Sequence, residues 1–147
     1  MHQNNNMKNL KFYYDYGKYN FNISYFENIL GISLPNEYRE FAGNYSGGIL
    51  YKNKYYYKDI SGRNTCNRII ILYGLHQVKK QIIDDDFYNY LIIGESSNIT
   101  TSKTNDSYFL EYITINIVDG SICIYDECTN HKISKSFNEF VNNIVYD

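Results

Sequence analysis

The chain is 147 residues long, 44% apolar and 20% charged, with a formal net charge of −2. That size fits one domain whose core is large enough to fold without disulfides or a metal. Nothing in the charge balance suggests the basic face that nucleic-acid binding needs, and no apolar run reaches the length of about 20 residues that a membrane span requires.

Residues 1–9 are polar and lack the apolar centre of a secretory signal. Residues 1–21 therefore read as a flexible N-terminal tail and lead-in, and residues 22–147 as a single domain. Cys66, Cys123 and Cys128 are three in number and cannot all pair, which suits a reducing, cytoplasmic setting. Tyrosine occurs 18 times, tryptophan is absent and Pro35 is the one proline. Tyr, Asn, Ile and Lys all have AT-rich codons, so part of the tyrosine excess reflects base composition rather than function.

In chain order, the first helix is expected over residues 24–30, where Phe26, Ile29 and Leu30 recur at one-face spacing and Gly31 follows as a left-handed stop. Pro35 suits the first turn of a second helix. Tyr38, Phe41, Ala42 and Tyr45 form its apolar stripe. Gly47 and Gly48 end that helix and let the chain reverse into strand. Residues 49–59 read as one or two tyrosine-rich strands and residues 69–73 as a short apolar strand. Residues 75–83 read as a helix, with Leu75, Val78 and Ile82 on one side.

The second half reads mainly as strand. An apolar run over residues 90–94 ends in Gly94, and the polar stretch 95–107 reads as loop. Residues 108–118 alternate around Ile113, Ile115 and Ile117. Asp119-Gly120 is a two-residue hairpin signature, and Ile122 and Ile124 continue the alternation on the returning strand. Ser136 and Glu139 have capping-box spacing ahead of a final helix carrying Phe137, Phe140, Val141 and Ile144. Helices near both ends with strands between them indicate an α+β fold, a mainly antiparallel sheet with helices packed against it.

This ordered set resembles the SUKH superfamily of cell-wall-assembly regulators and bacterial immunity proteins. The likeness is carried by Phe26-Glu27, Gly31, Leu34-Pro35, Tyr38, Phe41 and Gly47-Gly48. Further on it rests on Leu72-Tyr73-Gly74-Leu75, Ile92-Ile93-Gly94-Glu95 and Ser136 to Phe140, and it covers about residues 22–145. Ser46 stands where the family usually has Asn, and Ser forms local turn hydrogen bonds more weakly than Asn does. The resemblance implies a central sheet with packed helices, no shared catalytic machinery and no cofactor. It also implies a partner that is a cognate polymorphic toxin domain, which the protein binds and neutralises. The alternative is a regulatory protein–protein adaptor of the cell-wall-regulator type.

Cys123, Cys128 and His131 are spaced widely for a zinc pair and lack a fourth ligand, so they read as a strand cysteine and two loop residues. His76 with a cysteine would make a nucleophile pair, yet no nucleophile motif surrounds any cysteine, and His76 reads as a helix-surface residue. Gly47-Gly48 lacks the rest of a phosphate loop. Asp84, Asp85 and Asp86 read as a solvated helix end with a second use, steering a basic toxin towards the protein. Tyr55, Tyr56 and Tyr57, beside Tyr51, offer a candidate partner surface, with Tyr55 and Tyr57 on one strand face and Tyr56 on the other.

Overall fold

The computed structural model describes residues 10–17, 22–78, 89–99, 110–126 and 129–147. Its elements are β1 (Phe12–Asp15), α1 (Ile23–Leu30), α2 (Asn36–Asn44), β2 (Gly47–Leu50), β3 (Asn53–Lys58) and β4 (Asn64–Tyr73). They continue with β5 (Tyr90–Asn98), β6 (Leu110–Asn116), β7 (Ile122–Tyr125), β8 (Asn130–Ser134), α3 (Phe137–Asn142) and β9 (Val145–Tyr146). The strands form one sheet in the order β1-β2-β4-β5-β6-β7-β8, with β3 leaving that path to pair with β4 and β9. All pairings are antiparallel. This is the α+β architecture expected from the sequence.

The helices are set by local chemistry. The Asn22 side chain accepts the Tyr25 N–H at 3.1 Å and caps α1. At the other end Gly31 takes φ +67°, and the N–H of Ile32 closes back onto the Glu27 carbonyl. The inward side of α1 is Ile23, Phe26, Glu27 and Leu30, while Ile29 is 63% exposed. Ile29 therefore does not share the buried face expected for it, because Glu27 takes an inward position to reach Leu34. Pro35 sits just before α2 rather than inside it, its carbonyl accepting the Arg39 N–H. Ser136 caps α3 by accepting the Glu139 N–H.

Tyr38 and Phe41 of α2 and Phe137 and Phe140 of α3 are wholly buried and meet over the sheet. Ring centroids are 5.4 Å apart for Tyr38–Phe137, 5.1 Å for Phe41–Phe137 and 5.0 Å for Tyr55–Phe140. Each such side chain contributes roughly 1.5–3 kcal/mol through burial. Leu34, Leu72, Ile113, Ile115 and Ile122 complete the floor of this core.

β2 and β3 behave as one bent strand lying along β4. β2 pairs with Ile71–Tyr73 and β3 with Asn64–Asn67. The bend at Tyr51-Lys52 takes the backbone away from Ile69, and the buried Asn53 side chain fills the gap. Its Nδ2 donates to the Ile69 carbonyl at 2.8 Å and its Oδ1 accepts the Ile69 N–H at 3.0 Å, reproducing a ladder pair. The bend rolls the sheet until β3 faces β8. Tyr55 Oη donates to the Ile133 carbonyl at 3.4 Å, and the His131 ring nitrogen Nε2 lies 2.6 Å from the Lys58 carbonyl. A carbonyl only accepts, so Nε2 carries the proton.

Two glycine landmarks serve one contact. A Cβ on Gly47 would come within 2.4 Å of the Gly74 nitrogen, and a Cβ on Gly74 within 2.3 Å of the Ser46 oxygen. Ser46 itself is buried, and its N–H donates to the Gly17 carbonyl. Its hydroxyl has no partner, so this corner is held by backbone and not by a side-chain turn.

Three further expectations change. Phe12–Asp15 lies within the segment read as a flexible lead-in, yet it is strand β1, with Leu10 buried beside it. Its Tyr-rich polarity hides it, because only Phe12 faces the core while Tyr13 and Tyr14 face solvent. β5 continues through Asn98 where loop was expected after Gly94, because Ser96 and Asn98 find polar partners across the ladder. Residues 75–77 form a turn, and the remainder of the helix expected over residues 75–83 lies, after Val78, outside the described residues.

Candidate functional site

Thr65 and Asn67 of β4 point to the same side as Ile69, so the core face of the sheet turns polar towards the start of that strand. The helices cover the apolar half. The polar half opens into a cavity of about 1020 Å³ between β3 and β8. Its walls include Tyr57, Asp59 and Ile60 on one side, Ile124, Asp126 and His131 on the other, and Thr65, Asn98 and Glu111 between them. Pockets for small molecules and cofactors typically enclose about 300–1,000 Å³, so this volume admits more than a single side chain.

Asn67 organises the floor. It is fully buried, and its Oδ1 accepts from Tyr57 Oη at 2.9 Å and from Asn98 Nδ2 at 3.0 Å. Its Nδ2 donates to Ser96 Oγ at 2.9 Å and reaches Glu111 Oε1 at 3.5 Å. Both lone pairs and both amide hydrogens are thus engaged, which fixes the amide orientation. Asn98 Nδ2 also donates to Thr65 Oγ1, and Ser96 Oγ donates to the Glu111 carbonyl. The network leaves the Glu111 carboxylate at its end, facing the cavity.

Burial raises the Glu111 carboxyl above its ordinary range, the Asp126 carboxylate adds to this, and the Asn67 amide opposes it. Burial, and then the Glu111 charge, push the Tyr57 hydroxyl up to about 12. Asp59 is held low by hydrogen bonds from the Ser61 hydroxyl and the Arg63 N–H.

Of the residues singled out from sequence, Tyr57 lines the cavity. Tyr56 projects to the opposite face and is 61% exposed. Tyr55 does not serve a partner surface: it is 2% exposed and packed on Phe140, because the Tyr55/Tyr57 face is the core face. Asp84, Asp85 and Asp86 lie outside the described residues, as does Cys128. Among the described residues no three metal-ligating side chains cluster. Cys123 is buried on β7, with its thiol pushed up to about 11 by burial, far from an activated nucleophile. His76 is exposed in the turn after β4 rather than on a helix surface.

The family-motif positions act in the frame. Glu27 Oε2 accepts the Leu34 N–H at 2.6 Å, and its Oε1 accepts Arg39 Nε at 3.1 Å, clamping the link between α1 and α2. A Cβ on Gly48 would strike the Tyr14 carbonyl oxygen at 2.6 Å, and one on Gly94 the Ile71 carbonyl oxygen at 2.5 Å.

Sequence reasoning missed Thr65, Asn67, Ser96, Asn98 and Glu111. Their polarity at alternate positions was the available signal, and it reads equally as a solvent-facing edge until the rolled sheet turns it inward. A family model named SUKH_6 and described as SMI1-KNR4 cell-wall matches residues 20–141, a span that contains every residue named in the cavity wall. No curated protein and no solved structure matches the chain.

Proposed function

Because the chain belongs to the SMI1-KNR4 family of the SUKH superfamily, we propose that it is an immunity protein that binds and neutralises a cognate polymorphic toxin domain. The observation that carries this reading is the open cavity between β3 and β8, large enough to receive a protruding segment of another protein. A binder of this kind works by covering a surface and turns over no substrate, so it needs no cofactor. Neutralisation of a toxin made in the same cell places it in the cytoplasm, and no described helix is long and apolar enough to cross a membrane.

The test is co-expression with any toxin-like domain encoded beside its gene, scored by cell survival and by calorimetry. Rescue with tight binding supports the reading. Survival unchanged and no heat of binding with every neighbour overturns it.

A second reading is favoured by the wording of the family description, which names the cell wall. In it the same surface serves a regulatory protein–protein adaptor. An affinity pull-down that returns endogenous cell-wall enzymes in place of a toxin selects this alternative.

A further inference from the structure

We infer that the outward face of the β3–β4 hairpin docks an acidic segment of a partner protein. Lys54, Lys58 and Arg68 meet its carboxylates, and Tyr56 is the ring at their centre. The inference rests on the reading of the chain as a protein binder. It adds a second contact face, on the other side of the hairpin from the cavity.

The overall charge of −2 hides a local excess. Residues 52–68 hold five cationic side chains, Lys52, Lys54, Lys58, Arg63 and Arg68, against the single carboxylate of Asp59, so this stretch is +4 and the rest of the chain −6. Strand alternation then sorts the side chains. Asn53, Tyr55 and Tyr57 of β3 and Thr65, Asn67 and Ile69 of β4 turn inward, which leaves Lys54, Tyr56, Lys58, Cys66 and Arg68 on the outward face. Tyr56 pairs with Cys66, and the register brings Lys54 beside Arg68 just beyond the Tyr55–Asn67 pair. Side chains two residues apart on one strand face lie about 6.6 Å apart, so Lys54 to Lys58 spans about 13 Å with Tyr56 midway. Burial raises the Cys66 thiol, while the Tyr55 backbone and the Lys54 and Arg68 charges oppose this, so both cations stand close to Cys66. The Asp147 carboxylate also reaches that thiol and leaves the face cationic.

These cations are uncompensated. Among the described residues the ion pair is Arg39–Glu27, in the link between α1 and α2. Asp59 is occupied within its own loop, where it accepts the Ser61 N–H at 2.9 Å, the Ser61 hydroxyl at 2.6 Å and the Arg63 N–H at 3.0 Å. Arg68 supplies an independent sign of a missing acceptor: its Nε is shielded from water and has no hydrogen-bond partner. An unpaired guanidinium N–H is unfavourable. A carboxylate that takes Nε and a terminal nitrogen together, as the side chain lifts from the sheet, removes that cost. Tyr56 is exposed beside these cations, and tyrosine and arginine are the residue types enriched where interfaces bind most strongly.

Length separates the possible anions. A nucleic-acid strand carries its charge on past a face about 13 Å long and would meet the net negative remainder of the chain. An acidic protein segment ends with the face.

The experiment titrates the isotope-labelled full chain at low salt with acetyl-(Glu-Gly)4-amide, with acetyl-(Gln-Gly)4-amide, and with an oligothymidine, following backbone amide shifts. Saturable shifts at Lys54, Tyr56, Lys58, Cys66 and Arg68 are expected with the glutamate peptide and not with the glutamine peptide. They should shrink as salt rises towards about 1 M, where the screening length falls to about 3 Å. The combined Lys54→Gln, Lys58→Gln and Arg68→Gln variant should weaken binding by about tenfold, since each exposed pair contributes modestly. Lys135→Gln, a cation elsewhere on the surface, should leave it unchanged. If the triple variant does not fold, Lys58→Gln alone at its exposed position should weaken binding by a measurable fraction of that. No response, an equal response to both peptides, unchanged affinity in the hairpin variants, or tighter binding of the oligothymidine overturns the inference. A chain that ignores the glutamate peptide yet rescues cells from a toxin loses this inference and keeps the immunity reading. One that binds the peptide through this face and rescues nothing keeps the inference and loses that reading.

Discussion

Among the described residues Tyr38 and Tyr55 are the largest fully buried side chains, and the Tyr38 hydroxyl has no hydrogen-bond partner there. Burial alone raises that hydroxyl above its usual range. Its ring packs against Phe41 and Phe137, so the ring stabilises while the stranded oxygen costs. Tyr38→Phe keeps the ring and removes the cost, and it should raise unfolding stability by about 1 kcal/mol in urea melts. Glu111 shows a related tension. Its folded carboxyl titrates above the unfolded value of about 4.5. Its contribution to stability is therefore full below that value and is lost as pH rises through the raised folded one. Glu111→Gln should stabilise the protein at about pH 7, with the gain vanishing at about pH 4, in parallel urea titrations. A residue that weakens the fold at working pH fits a site kept for binding.

At the scale of elements, side chains repeatedly replace missing backbone partners. Glu27 satisfies the N–H of Leu34 where the α1–α2 link has no ladder to join. Glu27→Ala leaves that N–H and Arg39 without their acceptor, and should cost about 2 kcal/mol, whereas Glu27→Gln should recover part of it. Asn53 does the same for β4 at the bend between β2 and β3. Asn53→Ala strips both the N–H and the carbonyl of Ile69 of partners inside the core, and should cost about 2–4 kcal/mol. The bend it supports is what brings β3 round to β8. The same variant should therefore broaden amide signals at Tyr57 and His131, a measurement that separates loss of curvature from simple destabilisation.

For the molecule as a whole, the sheet is closed at both its chain ends. The Lys11 N–H donates to Tyr146 Oη at 3.0 Å, and β9 pairs with β3. Removing residues 1–17 deletes β1, the buried Leu10, worth roughly 1.5–3 kcal/mol, and the half-buried Phe12, and uncovers the edge of β2. A marked drop in the urea midpoint is expected, where a flexible lead-in would give none. Charge acts at this scale too. If Asp84, Asp85 and Asp86 steer a basic toxin, neutralising all three together should slow association by about tenfold at low salt and hardly at all at high salt. Stopped-flow association rates that are the same at low salt discard that role.

What the sequence determined by itself was the set of elements whose instructions are local. Gly31 ends α1, Ser136 caps α3, Tyr38-Phe41-Ala42 stripe α2, and Asp119-Gly120 lies in the turn from β6 into β7, which spans residues 117–121 rather than the two residues expected. The ordered landmarks from Glu27 to Phe140 carried the family for the same reason, since each is a short-range constraint on backbone or packing. Tertiary structure decided the rest. Whether Tyr55 is core and Tyr56 surface, and whether Thr65, Asn67, Asn98 and Glu111 meet water or one another, depends on how far the sheet rolls. That roll is set by Asn53 reaching Ile69 and by β3 meeting β8, contacts between residues distant along the chain. A polar residue on a strand has the same sequence signature at an exposed edge and in a cavity wall. Only the long-range closure of the sheet separates the two.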